Sequence, residues 1–232
     1  FNDGTIYNPS HFFGIFSAFD SDVVSDIELY KSSIPAEFGG RISSVLDVRG
    51  REGNSKKLQG SLGLGLLTSR FHLEGPLREG KTTFILGGRT TYSNWLFGFL
   101  PENSAYSGGG ASFSDLNASL THRVDEKNTI QAHAYWSRDD FSFDRDTTFR
   151  YSNANFSLKW RRTLSERTGF SAVAGYDRYS NTVDDSFNAV SSYSLSNDVN
   201  QAFAKLGFTS ALGGRHTLTY GAGVIWYDLN PG

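Results

Sequence analysis

The chain has 232 residues, with 22 Lys and Arg against 24 Asp and Glu and a formal net charge of −2. That balance excludes the basic excess of a nucleic-acid binder, and the absence of Cys excludes a disulfide framework or a thiolate metal site. Mean hydropathy is negative, and no window approaches the ~18 consecutive apolar residues of a membrane helix.

Residues 1–53 differ in kind from the rest. Tyr7 to Gly14 reads as a loop running into aromatic residues. Asp26 to Lys31 alternates and reads as a short strand with Ile27 and Leu29 on one side. Ile34 to Arg41 is rich in turn formers, and Ser44 to Arg49 is a second strand. The charged stretch Gly50 to Lys57 is a linker, which divides the chain into 1–53 and 54–232.

After the linker, strand and turn follow in regular order. Nine strands are predicted, at about 57–67, 69–77, 82–93, 113–124, 129–138, 151–164, 168–179, 199–212 and 216–228. In the first, Leu58, Gly60, Leu62, Leu64 and Leu66 alternate with Gln59, Ser61, Gly63 and Gly65. In the fifth, Ile130, Ala132, Ala134 and Trp136 oppose Gln131, His133 and Tyr135. In the last, Leu218, Tyr220, Ala222, Val224 and Trp226 oppose Thr219, Gly221 and Gly223. The second face is too small and polar to be the surface of a soluble β-sandwich. It suits a wet lumen, with the apolar face in lipid. This is the dyad pattern of a transmembrane β-barrel wall. Connections after the second, fourth, sixth and eighth strands are short. Those after the third, fifth and seventh are long and polar. The short connection after the first strand departs from that alternation.

The five His residues show no metal-ligand spacing, and there is no Gly-x-Ser-x-Gly elbow. Neither a metal, nor a cofactor, nor catalysis is expected.

Asp3 to Ser17 resembles the plug segment of TonB-dependent outer-membrane receptors of the Bacteroidetes type. So do Asp26 to Lys31 and Pro35 to Val48, which look like the strand–turn–strand unit that closes the plug in that family. Gly88 to Tyr92, Ser114 to Ala118 and Tyr227 to Gly232 are similar to barrel segments of the same family. The resemblance implies an all-β transmembrane antiparallel barrel: about nine strands of a 22-stranded wall, preceded by the C-terminal part of a plug. A complete wall at about twenty residues per strand needs on the order of 440 residues. Both chain ends therefore read as cuts in a longer protein. The implied function is uptake of a bulky, scarce nutrient by plug displacement. The implied partners are TonB, through an N-terminal segment absent here, outer-membrane lipids, and a surface lipoprotein or other envelope subunits. A second reading keeps the barrel as a structural or assembly subunit of a larger outer-membrane complex.

The resemblance places Asn8, Ser10, His11, Phe12 and Phe13 at the plug apex as substrate-contact candidates. The alternative is packing against the wall, which three aromatic residues in Phe12, Phe13 and Phe16 favour. Glu28, Glu37, Arg41 and Arg49 on the plug, with Arg89, Lys159 and Arg161 inward on the wall, are candidates for plug–wall ion pairs. Those pairs would either hold a closed state or serve as static lumen electrostatics. Trp136, Trp160 and Trp226 fall on the outward parity as girdle residues, while His122 and Arg162 there require snorkelling at the rim.

Overall fold

The computed structural model describes residues 1–40, 43–78, 80–101, 104, 108–142, 146–186 and 192–232, with Phe13 described by its backbone. The N-terminal segment carries four short strands: β1 (Ser10–His11), β2 (Phe16–Ser17), β3 (Val24–Tyr30) and β4 (Val45–Gly50). β1 pairs with β2 around a 3₁₀ turn at Phe12–Gly14, and β3 pairs with β4. A second 3₁₀ turn covers Ala36–Phe38.

A nine-stranded antiparallel sheet follows. Its strands are β5 (Gln59–Leu64), β6 (Thr68–Arg78), β7 (Thr82–Thr91), β8 (Gly110–Arg123), β9 (Asn128–Ser142), β10 (Thr147–Ser165), β11 (Thr168–Asp185), β12 (Tyr193–Leu212) and β13 (His216–Asn230). Each pairs with its neighbour in chain order, so β5 and β13 are the two edges. One short helix, α1 (Asn94–Phe97), lies between β7 and β8. The nine predicted strands are all present.

Parity divides the sheet as the alternation implies. Ile85, Tyr135, Val173 and Phe203 are buried on the covered face, together with Asp115, Asn117, Asn155 and Asp177. Trp136, Phe156, Leu158, Leu206 and Trp226 stand exposed on the other. The N-terminal segment supplies the cover. Phe1, Ala18, Val23 and Val48 pack with Ile85 and Tyr135 in one apolar cluster. The linker lies close on the sheet at Gly53, where a Cβ would collide with the Phe84 carbonyl oxygen.

The strands differ from expectation in length. β9, β10, β11 and β12 run on into 139–142, 147–150, 180–185 and 193–198, stretches that read as polar loop. Polar residues on both faces erase the two-residue hydrophobic signal there. Cross-strand ion pairs hold these extensions instead. Arg150 bridges Asp140 at 3.0 Å and Asp184 at 2.7 Å, Arg178 faces Asp198 at 3.6 Å, and within β9 Arg138 pairs with Asp140 at 2.8 Å.

The bare face is thus zoned along the strands. Nearest the short turns it is apolar: Ile130, Ala132, Ala134 and Trp136 on β9; Phe170, Ala172, Ala174 and Tyr176 on β11; Ala202, Ala204, Leu206 and Phe208 on β12. Toward the long connections it turns polar, with Arg138, Arg150 and Arg178 at the change. An apolar band below a charged collar is what a strand crossing hydrocarbon and emerging into water requires.

Candidate functional site

The loop around β1 and β2 meets the sheet at a cluster of charged side chains. His11 is 1% exposed and lies between two carboxylates of the sheet. Its Nδ1 is 2.8 Å from Asp139 Oδ2, and its Nε2 is 3.3 Å from Asp115 Oδ2. The first is a directed hydrogen bond; the second is a charge contact out of line for one. Arg89 donates from Nε at 2.9 Å and Nη2 at 2.6 Å to Asp115 Oδ2, and Nη2 also reaches the Ser17 carbonyl at 2.8 Å. The His11 ring stacks on Phe113, with centroids 4.2 Å apart and planes 3° from parallel. Phe12 and Phe16 complete the packing around Phe113 at 5.3 Å each. Burial works against the imidazolium, but the contacts with the carboxylates of Asp115 and Asp139 outweigh it and hold His11 above its ordinary value.

A second set of contacts runs along residues 2–8. The amide of Thr5 and the side chain of Gln201 donate to Asp177 Oδ2, both at 2.9 Å, and Asn155 donates to Oδ1 of the same carboxylate. The Tyr7 hydroxyl donates to Gln201 Oε1 at 2.9 Å. Ser157 donates to the Asn2 carbonyl at 3.0 Å, and Lys159 pairs with Asp3 at 2.8 Å. A third set lies toward the short turns. Glu52 accepts from Arg123 at 2.9 Å and from Arg161 at 3.0 Å, while Arg51 pairs with Glu74 at 2.6 Å.

Of the expected segment–sheet ionic residues, Arg89, Lys159 and Arg161 on the sheet do reach the N-terminal segment. Glu28 and Arg49 do not reach the sheet. They pair with each other at 3.1 Å, and Arg49 also pairs with Asp47 at 2.8 Å. The correction has a simple cause, since β3 and β4 place opposite charges across one ladder. Glu37 is exposed and joins no ion pair among the described residues. Arg41 lies outside the described residues. The residues that sequence reasoning passed over are Asp3, Glu52, Asp139 and Asp177. Asp177 sits at inward parity on a predicted strand, a signal that was available, whereas Asp139 falls just past the predicted end of its strand, in a stretch that reads as loop. Asp3 and Glu52 carry no periodic signal.

The apex candidates separate. His11 is sealed into the sheet contact. Asn8, Ser10 and Phe12 instead line a cavity of about 260 Å³. The remaining wall comes from Tyr7, Asp139, Phe141, Tyr151 and Tyr179. The Phe13 side chain lies outside the described residues. Tyr7 and Tyr179 approach with centroids 5.8 Å apart. Phe12 holds φ at +50°, in the left-handed region, where a non-glycine residue costs about 1–3 kcal/mol. Surrounding contacts must over-determine that conformation, and the aromatic packing on Phe113 does so. In register, Asp139 is level with Tyr151 and Asn153 with Tyr179. The cavity therefore stands at the charged collar, above the apolar band and toward the long connections.

No family model matches the chain, and no curated protein does. Among solved structures, a doubly substituted ferric enterobactin receptor of Pseudomonas aeruginosa has the same fold, with a TM-score of 0.71 at 17% identity. The match covers 93% of this chain and 37% of that one, so the chain spans well under half the receptor's length. The chain is all-β, a nine-stranded part of a transmembrane antiparallel barrel wall in a TonB-dependent receptor-like fold.

Proposed function

We propose that the chain is the C-terminal part of a plug, residues 1–53, and the first strands of the barrel, residues 54–232, of an outer-membrane receptor. The receptor takes up a bulky, scarce nutrient, and TonB drives the uptake by displacing the plug. It makes and breaks no covalent bond. The observation that carries this reading is the contact between segment and wall. It is built from ion pairs and single hydrogen bonds around a small apolar cluster. Such a contact holds a plug in place, yet hydrated polar groups can exchange partners one at a time as it moves. The cavity at the collar faces the side of the long connections, the outer side in barrels of this kind. The motifs of residues 3–17 and 35–48 support a receptor of the Bacteroidetes type.

The test needs no knowledge of the nutrient. Ala18 is fully buried in the segment–wall cluster. In the full-length protein, with any Cys outside residues 1–232 replaced, Ala18→Cys introduces a single thiol, since these 232 residues have none. A membrane-impermeant maleimide is expected to label it in energised cells and to spare it when TonB is deleted. Equal protection in both strains means a static plug, and the structural-subunit reading then replaces transport.

A further inference from the structure

The cavity at the collar has a definite chemical bias. Phe12, Phe141, Tyr151 and Tyr179 give it aromatic walls, Asp139 gives it a carboxylate, and among the described residues neither Lys nor Arg lines it. We propose that it takes a cationic group, an ammonium or guanidinium carried by a larger solute, and that this group draws Asp139 away from His11.

Aromatic faces carry negative charge density and attract a cation within about 6 Å of the ring centre. An anion meets repulsion from the rings and from Asp139. A neutral ring leaves the carboxylate unserved. Asp139 is 4% exposed; its Oδ2 is engaged by His11, and its Oδ1 has no hydrogen-bond partner among the described residues. A buried carboxylate oxygen without a donor is costly, and a bound cation supplies the donor. The volume of about 260 Å³ is below the ~300 Å³ of sites that enclose a whole small molecule. It therefore accommodates one group of a bigger ligand. The left-handed Phe12 forms part of this wall while also gripping Phe113.

The same carboxylate serves two masters. Asp139 fastens His11, and so the β1–β2 loop, to β9. A second partner for Asp139 loosens that hold and leaves His11 on Asp115, which Arg89 already occupies through the same oxygen. Ligand arrival is thus coupled to plug release through one side chain, and the coupling is reciprocal.

This inference rests on the receptor reading, and the experiment separates the two. The full-length protein in micelles is titrated calorimetrically with agmatine and tetramethylammonium, and with glucose and 2,3-dihydroxybenzoate for comparison. The cations are expected to bind about tenfold tighter than either comparison compound. Tyr151→Leu, which touches no ion pair, and Asp139→Asn should each cost the cations about tenfold. Both variants are checked for heat-modifiable migration. Agmatine should also raise maleimide labelling of Ala18→Cys. Binding of glucose or the benzoate as tight as that of the cations, or cation binding indifferent to Tyr151→Leu, overturns the proposal. TonB-dependent labelling that persists without cation binding rejects the ligand class alone. Labelling that ignores TonB rejects the receptor reading itself.

Discussion

His11 shows how a single side chain can be a latch. Asp115 of β8 and Asp139 of β9 face it from the strands packed against it, Arg89 of β7 is paired to that Asp115, and Tyr135 of β9 lies near the same carboxylates. Burial disfavours its charge, the two carboxylates favour it more, and the result is a raised value. A group raised on folding contributes its full stability below its unfolded value of about 6.5. That contribution drains away as pH rises through the folded value. Amides of residues 9–18 are therefore expected to exchange faster with rising pH than intrinsic chemistry dictates. Hydrogen-exchange mass spectrometry of the full-length protein checks this, and His11→Gln should abolish the excess. His11→Ala is harsher, since it leaves the buried Asp139 without its cation, while Asp115 keeps Arg89. A loss of about 3–5 kcal/mol in docking is expected, seen as a lowered denaturant midpoint for protease protection of the loop. Composition hinted at part of this. Three Phe residues beside His11 pointed to packing, and that is where His11 lies. Its carboxylates, more than a hundred positions away, were not legible as its partners.

At the scale of elements, close backbone approach is the feature most open to test. A Cβ built on Gly4 falls 2.8 Å from Asn155 Cγ, which places Gly4→Cys and Asn155→Cys within disulfide reach. Air oxidation of the double variant should produce a gel shift that reductant reverses. Absence of the shift means residues 2–8 do not lie along β10. Gly53→Ala should be poorly tolerated, because the obstacle is the backbone oxygen of Phe84 and cannot swing aside. Overpacking of this kind costs about 1–3 kcal/mol, readable as an earlier urea midpoint. All nine wall strands were legible wherever lipid-facing and lumen-facing residues alternate. They were illegible beyond Arg138, Tyr179 and before Val199, where both faces are polar and strand identity comes from the Arg150 ladder. The cavity was hidden for the same reason, since Phe141 and Asp139 sit in stretches that read as loop.

For the whole molecule, two open edges and an apolar band set the terms. β5 and β13 present unpaired backbone groups, which hydrocarbon does not tolerate. Expressed alone with an export signal, residues 1–232 are expected to show no heat-modifiable form and to be degraded, whereas the full-length protein should show one. The band makes a second prediction. Phe156 sits near the middle of β10 on the bare face, 51% exposed. Phe156→Arg should cost about 2–4 kcal/mol, as a cation at the bilayer midplane does. Equilibrium unfolding from phospholipid bilayers measures it. The collar above that band has one more consequence. Arg138, Arg150 and Arg178 are matched there by Asp140, Asp184 and Asp198. Each guanidinium is engaged by a carboxylate of the wall itself, and Asp228, level with Arg178 across β12, adds a further negative charge on the same face. The described part of the collar therefore holds out no free cation to the phosphates of surrounding lipid, so the depth at which these strands ride is fixed by the height of their greasy belt.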